Sequence, residues 1–204
     1  MAYQSDPMFL TLHAVRLRGR ASTEAVAGAV GPRVDELLQT AVDAGHLTLK
    51  EGRAAGWSLT PAGREAHGVL LAAERESSGA LDVVRTAYDE FLAVNPDLIQ
   101  VCTDWQLQPD GSLNDHTDDR YDAGVIEALG AIDRRIHPVC ERLGDQVARF
   151  GAYGPRLSGA LARVRAGDGK WFTSPAVESY HTVWFELHED MLQTLGITRE
   201  QEVQ

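Results

Sequence analysis

Residues 45–67, GHLTLKEGRAAGWSLTPAGREAH, restrict the folds open to this chain more than any other stretch. Leu47 and Leu49 fall on one side of an alternation and Thr48 and Lys50 on the other. Glu51 to Gly56 form a glycine-bounded turn, and Trp57 and Leu59 resume the alternation, which predicts a short β-hairpin. Thr60 is placed to cap a new helix. Its first residue, Pro61, lacks an N–H that would have no intrahelical partner at that position anyway.

Three helical segments are expected before the hairpin. Phe9, Leu10, Leu12, His13, Val15, Arg16 and Leu17 follow a helical stripe that stops at Gly19. Ser22 caps a second segment carrying Val26, Ala29 and Val30, which ends at Gly31-Pro32. The third has Val34, Leu37, Leu38, Ala41 and Val42 on its apolar side and Gly45 as its stop. Helices, a tight Gly-Pro turn, a helix, a hairpin and a further helix follow the order of a winged helix-turn-helix.

Over residues 8–76 the chain resembles the winged-helix domain of MarR-type bacterial regulators. The resemblance implies duplex DNA as a partner, with the third helix in the major groove. Arg33, Asp35, Glu36, Gln39, Thr40 and Asp43 are expected to face outward from it, and three of these are acidic, which opposes attraction to phosphate. Arg33 suits a phosphate or guanine, Gln39 an adenine edge, and Thr40 lies beside them. Lys50 and Arg53 in the hairpin could grip the flanking backbone, and Arg16, Arg18 and Arg20 form a further basic cluster. Winged helices also serve as protein-protein modules, since fold does not fix function. The LTPAGR segment also resembles accessory regions that accompany phosphoenolpyruvate-utilising enzymes, and this gives a second expectation: an interaction module that does not bind DNA.

Charge divides the chain. Residues 1–75 hold eight Lys or Arg and eight Asp or Glu, whereas residues 76–204 hold eleven and twenty-two, so the net charge of −11 lies entirely in the second part. Two domains are expected, a winged helix over residues 1–76 and an all-α bundle over residues 77–204, the latter serving for effector binding and dimerisation. No segment approaches the ~18 apolar residues of a membrane span, and MAYQSDPMFL lacks the pattern of a secretory leader, so a cytoplasmic protein is expected. Cys102 and Cys140 have no metal-ligand spacing and read as buried thiols.

The second part is helical in pattern throughout, with five or six helices expected. Breaks fall at Asn95-Pro96, in the polar loop QPDGSLNDHTDD and at Gly151 to Gly154, and His137-Pro138 is expected to kink or split a helix over residues 121–150. A last helix is expected over residues 176–195. Two stretches are dense in side chains suited to recognition. One holds Trp105, Asn114, His116 and Tyr121; the other holds Trp171, Tyr180, His181, Trp184 and His188. His181 and His188 lie seven apart and share a helix face beside Trp184. Aromatic walls with a few polar groups suit a small ligand, with Trp184, Tyr180 and Trp105 as walls and His181, His188, Asn114 and His116 orienting its polar end. The same stripe also suits a plain core. No metal-binding pair repeats, and neither a nucleophile elbow nor a phosphate-binding glycine loop occurs, so no cofactor, metal or catalytic group is expected. Together these readings give a homodimeric, DNA-binding regulator with a ligand-sensing helical domain.

Overall fold

A computed structural model describes residues 1–52 and 55–202. The chain is mainly helical with one small two-stranded antiparallel sheet. It divides into two compact units, residues 1–81 with 146–149 and residues 82–145 with 150–204. The boundary expected at residue 76 therefore lies at Leu81, and the first unit also takes in four residues from far along the chain.

In the first unit α1 (Pro7–Arg18) starts where Asp6 accepts from the backbone N–H groups of Met8 and Phe9, and it stops at Gly19. Ser22 caps α2 (Thr23–Val30), and a 3-10 turn at Gly31–Arg33 leads into α3 (Val34–Asp43). Strand β1 (Leu47–Lys50) pairs with β2 (Gly56–Leu59) in the register Leu47 to Leu59 and Lys50 to Gly56. Ala21 adds a single antiparallel bridge to Trp57, so the segment between α1 and α2 borders the hairpin. Helix α4 (Pro61–Ser78) follows from Thr60, whose hydroxyl accepts from the Gly63 N–H. A Cβ at Gly63 would lie 2.0 Å from the His46 carbonyl oxygen, so only glycine allows α4 to start this close to the hairpin. Leu12, Val15, Val26, Leu38, Ala41 and Leu47 form the core, with Trp57 and Leu59 packed against it. Leu49 shares a strand face with Leu47 but is half exposed, because the hairpin extends past this core.

Residues 146–149 complete the unit. Tyr3 donates its N–H to the Gln146 carbonyl and accepts from the Ala148 N–H, a parallel bridge that buries Val147. Next to it the Arg149 guanidinium meets Glu74 of α4 at 2.8 Å, with each side chain only 5% exposed, and lies 5.6 Å from the centre of the Phe9 ring. Phe9 also stacks on His13 and His67, which approach each other to 2.9 Å between Nδ1 and Nε2.

The second unit contains helices alone among the described residues: α5 (Leu81–Leu92), which begins at the boundary residue, α6 (Asn95–Gln106), α7 (Asp119–Gln146), α8 (Tyr153–Arg165), α9 (Lys170–Thr173), α10 (Tyr180–Leu195) and α11 (Arg199–Glu202). Helix α7 runs on through Pro138, so of the two outcomes expected at His137-Pro138, a kink or a split, the split does not occur. Removing one N–H and crowding the preceding turn costs about 3 kcal/mol. Burial of Val125, Leu129, Ile132, Ile136, Val139 and Leu143 along one side offsets that cost. The helix expected over residues 176–195 begins four residues later, as α10, because Ser179 caps it by accepting from the Thr182 N–H, and it is followed by α11 and so is not the last. Arg156 of α8 bridges Glu178 and the buried Glu186 of α10, and the Tyr153 hydroxyl donates to Asp190, so polar links tie α8 to α10.

Removing one member of a buried ion pair strands the other and costs about 3–5 kcal/mol. Arg149→Met is therefore expected to destabilise the first unit by roughly that amount, although position 149 is far from it in sequence. Hydrogen exchange should show faster exchange at the amides of α1 and α4. The double variant Arg149→Met/Glu74→Leu should recover much of the loss, because no charge then stays buried alone.

Candidate functional site

The recognition-rich residues of the second unit separate into two places. Trp105, Asn114, His116 and Tyr121 form a closed network around the loop between α6 and α7. The Asn114 amide donates to the Trp105 carbonyl at 3.2 Å and to Asp122 at 2.8 Å, while its oxygen accepts from Gln108 and from the His116 N–H. His116 holds a left-handed backbone with φ 59° and pairs through Nδ1 with Asp122 at 2.9 Å. The Tyr121 hydroxyl lies within hydrogen-bond reach of both the Asp104 and Leu107 carbonyls, at 3.0 and 2.8 Å, and its single hydrogen is shared between them. Trp105 is buried between the rings of Phe172 and His116, with centroids 4.5 and 4.3 Å away. A Cβ at Gly169 would come within 2.9 Å of the same indole. Trp171 is half-buried beneath the Arg163 guanidinium, 4.8 Å from its ring centre.

This arrangement corrects the expected ligand pocket. Trp105 is a core side chain and not a wall, and Asn114 and His116 spend their polar atoms holding the loop. Tyr180 is fully buried as well. Its hydroxyl is buried beside the Asp133 carboxylate. Burial raises the Tyr180 hydroxyl above the usual phenol range, and the neighbouring Asp133 carboxylate pushes it the same way, so the group stays neutral. Tyr121 and Trp171 likewise do not join the surface that His181 lines.

The second place is a groove of about 440 Å³ between α6 and α10, lined by Leu98, Ile99 and Cys102 on one side and by His181, Trp184, Phe185 and His188 on the other. His181, Trp184 and His188 thus share one face, as their spacing predicts. Ile99 is 60% exposed and Phe185 46%, so the groove has apolar lips. The Trp184 indole N–H donates to Asn95 at 2.9 Å and its ring packs on Phe91, 4.6 Å between centroids. His188 is mostly buried, and its Nε2 meets Glu202 of α11 at 2.5 Å. The Tyr88 hydroxyl donates to the same Glu202 oxygen at 2.7 Å.

Sequence reasoning missed Asn95, Phe185, Glu202 and the outer face of α6. The exposed apolar Ile99, four residues from Asn95, was the signal available for that face. It also missed a polar cluster in which the Ser158 hydroxyl donates to Asp133 at 3.0 Å and lies 3.5 Å from His137 Nδ1. The serine bonds the carboxylate directly and not through the imidazole, so this is not the order that activates a nucleophile. Burial raises the Cys102 thiol to about 11 and the Cys140 thiol to about 12, and neither is in a disulfide.

Of the DNA-facing candidates, Arg16, Arg33, Gln39, Thr40 and Lys50 are exposed, and Arg18 and Arg20 are half-buried. Arg53 lies outside the described residues. Arg33 forms a forked pair with Glu36 at 2.8 and 3.1 Å, which holds the Glu36 carboxyl below the usual carboxylate range. Gln39 donates to Asp43 and Thr40 to the Glu36 carbonyl, both at 2.8 Å. Arg18 reaches the Ala14 carbonyl, and the Arg20 stem lies where a Cβ on Gly56 would fall. No family model, curated protein or solved structure matches the chain. No described helix is long and apolar enough to cross a membrane.

Two outcomes follow from this geometry. Asn114→Ala removes the centre of the loop network and should lower the stability of the second unit by about 1–3 kcal/mol, measured by denaturant unfolding. The thiols should resist alkylation in the folded protein at pH 8. A thiol titrating near 11 is then about one part in a thousand thiolate, and raising the pH toward 11 should accelerate modification of Cys102 first.

Proposed function

We propose that the first unit is a winged helix-turn-helix that binds duplex DNA, and that the helical second unit senses a small ligand in the α6–α10 groove. The observation that carries the reading is the setting of α3. Leu37, Leu38 and Ala41 anchor it, while Arg33, Gln39 and Thr40 face solvent. The Ala21 bridge to Trp57 supports the same reading, because it ties the segment between α1 and α2 to the hairpin. Arg16 and Lys50 add exposed positive charge on other elements of the unit.

The polar bonds along α3 do not exclude this. An exposed ion pair is weak in water, so the Arg33–Glu36 fork can exchange for a phosphate, and Gln39 can exchange Asp43 for a base edge. A two-fold operator calls for a homodimer. Regulation requires only that ligand and DNA bind different states with unequal affinity, and a coupling of about 1–3 kcal/mol suffices.

A second reading, a protein-interaction module, is favoured by one feature: Asp35, Glu36 and Asp43 give α3 an acidic outer face. Electrophoretic retention of a fragment of the chain's own promoter separates the two. In the DNA-reader case retention falls steeply with salt, Arg33→Glu weakens it about tenfold or more, and Glu36→Gln strengthens it. Gln39→Ala should change sequence preference more than overall affinity. Equal retention by wild type, Arg33→Glu and Glu36→Gln at low salt would leave the interaction module as the reading.

A further inference from the structure

Glu202 reaches back from α11 to the end of the groove, where its carboxylate meets two side chains that have little access to water. His188 has 9% of its side chain exposed, and its ring is held by Phe91, 4.8 Å between centroids, and by Tyr88 at 5.9 Å. Tyr88 is 5% exposed. Imidazole and phenol both converge on a single carboxylate oxygen, at 2.5 and 2.7 Å. Donors fixed by packing and aimed at one point form an anion position in which little ordering remains to be done when an anion arrives. Beside it the walls turn apolar, with Trp184 and Leu98 below and the exposed Ile99 and Phe185 at the lips. The volume of about 440 Å³ falls within the range of small-ligand sites.

We propose that this groove binds a small carboxylic acid with an aromatic or aliphatic body, its carboxylate on His188 and Tyr88, and that Glu202 occupies the anion position when the acid is absent. The inference rests on the sensing role given above to the second unit, and it names the ligand class and the competitor. Apolar walls favour the hydrocarbon body, and two donors on one oxygen bind a charged carboxylate more strongly than the neutral amide of the same shape. Because Glu202 belongs to the same chain, it competes at a high effective concentration, of order millimolar or above for a short connection. An incoming acid therefore displaces it only when its body gains enough from the apolar walls, so hydrophobic acids should bind and formate or acetate should not.

The test is calorimetric titration of the full chain with phenylacetate and indole-3-acetate, with their amides as controls. Glu202→Ala removes the internal competitor and should tighten binding of both acids roughly tenfold or more while leaving the amides unbound. Adding His188→Leu or Tyr88→Phe to that variant should cancel the gain. The circular dichroism of each variant checks that it is folded. The assay contains no DNA. A Glu202→Ala gain without promoter retention would therefore defeat the DNA-reader assignment alone, and promoter retention without the gain would defeat this inference alone. Equal binding of acids by wild type and Glu202→Ala, equal binding of acids and amides, or no binding of either acid to Glu202→Ala would overturn it.

Discussion

A guanidinium and a carboxylate almost shut off from water hold residues 146–149 against α1 and α4. Desolvating both groups is costly, and their attraction in a medium of low polarity roughly balances that cost only when the geometry is good. The Arg149–Glu74 pair therefore contributes little to net stability as an attraction. What it contributes is selection: a different side chain opposite Glu74 would leave a charge buried alone. Phe9 gives the guanidinium an aromatic face as well, so one residue from late in the chain is fixed by both α1 and α4. Helix α7, with 28 residues and a length of about 42 Å, carries the chain out of the second unit and delivers Gln146 to the first.

The features that could be read from sequence are those decided within a few residues. Thr60-Pro61, Ser22 and Gly45 mark helix ends by capping chemistry that needs only the local backbone, and each lies where its sequence places it. The seven-residue spacing of His181 and His188 fixes a shared face in the same way. Which aromatics line a surface is decided by what packs on them. Tyr180 and Trp184 stand one turn apart on the same stripe and both are buried, yet only Trp184 lines the groove against α6. Trp105 reads as a pocket wall because polar loop residues follow it, but His116 of that loop packs on its ring and Asn114 bonds its carbonyl. Arg149 carried no local signal at all, since its partner is 75 positions away.

Polar side chains in the second unit serve two distinct physical ends. Around Asn114 the amide donates to Trp105 of α6 and Asp122 of α7 while its oxygen accepts from Gln108 and His116, so the loop is tied to both flanking helices and its centre has little to offer a ligand. Around His188 the donors meet a carboxylate on a short helix at the edge of an open groove. The difference lies in how easily the partner can leave: Asp122 belongs to α7, whereas Glu202 belongs to a four-residue helix.

The return of residues 146–149 to the first unit also sets an order of events during synthesis. At ~5–20 residues per second, the stretch from Leu81 to Arg149 adds on the order of ten seconds between completion of the first unit's main segment and arrival of its last part. Throughout that interval Glu74 and Phe9 lack the side chain that later covers them, and the edge that pairs with Val147 is open. The nascent chain is thus most vulnerable to chaperone capture or to pairing with another copy while the second unit is being made. Slowing translation within α7 would lengthen that exposure without altering a single residue.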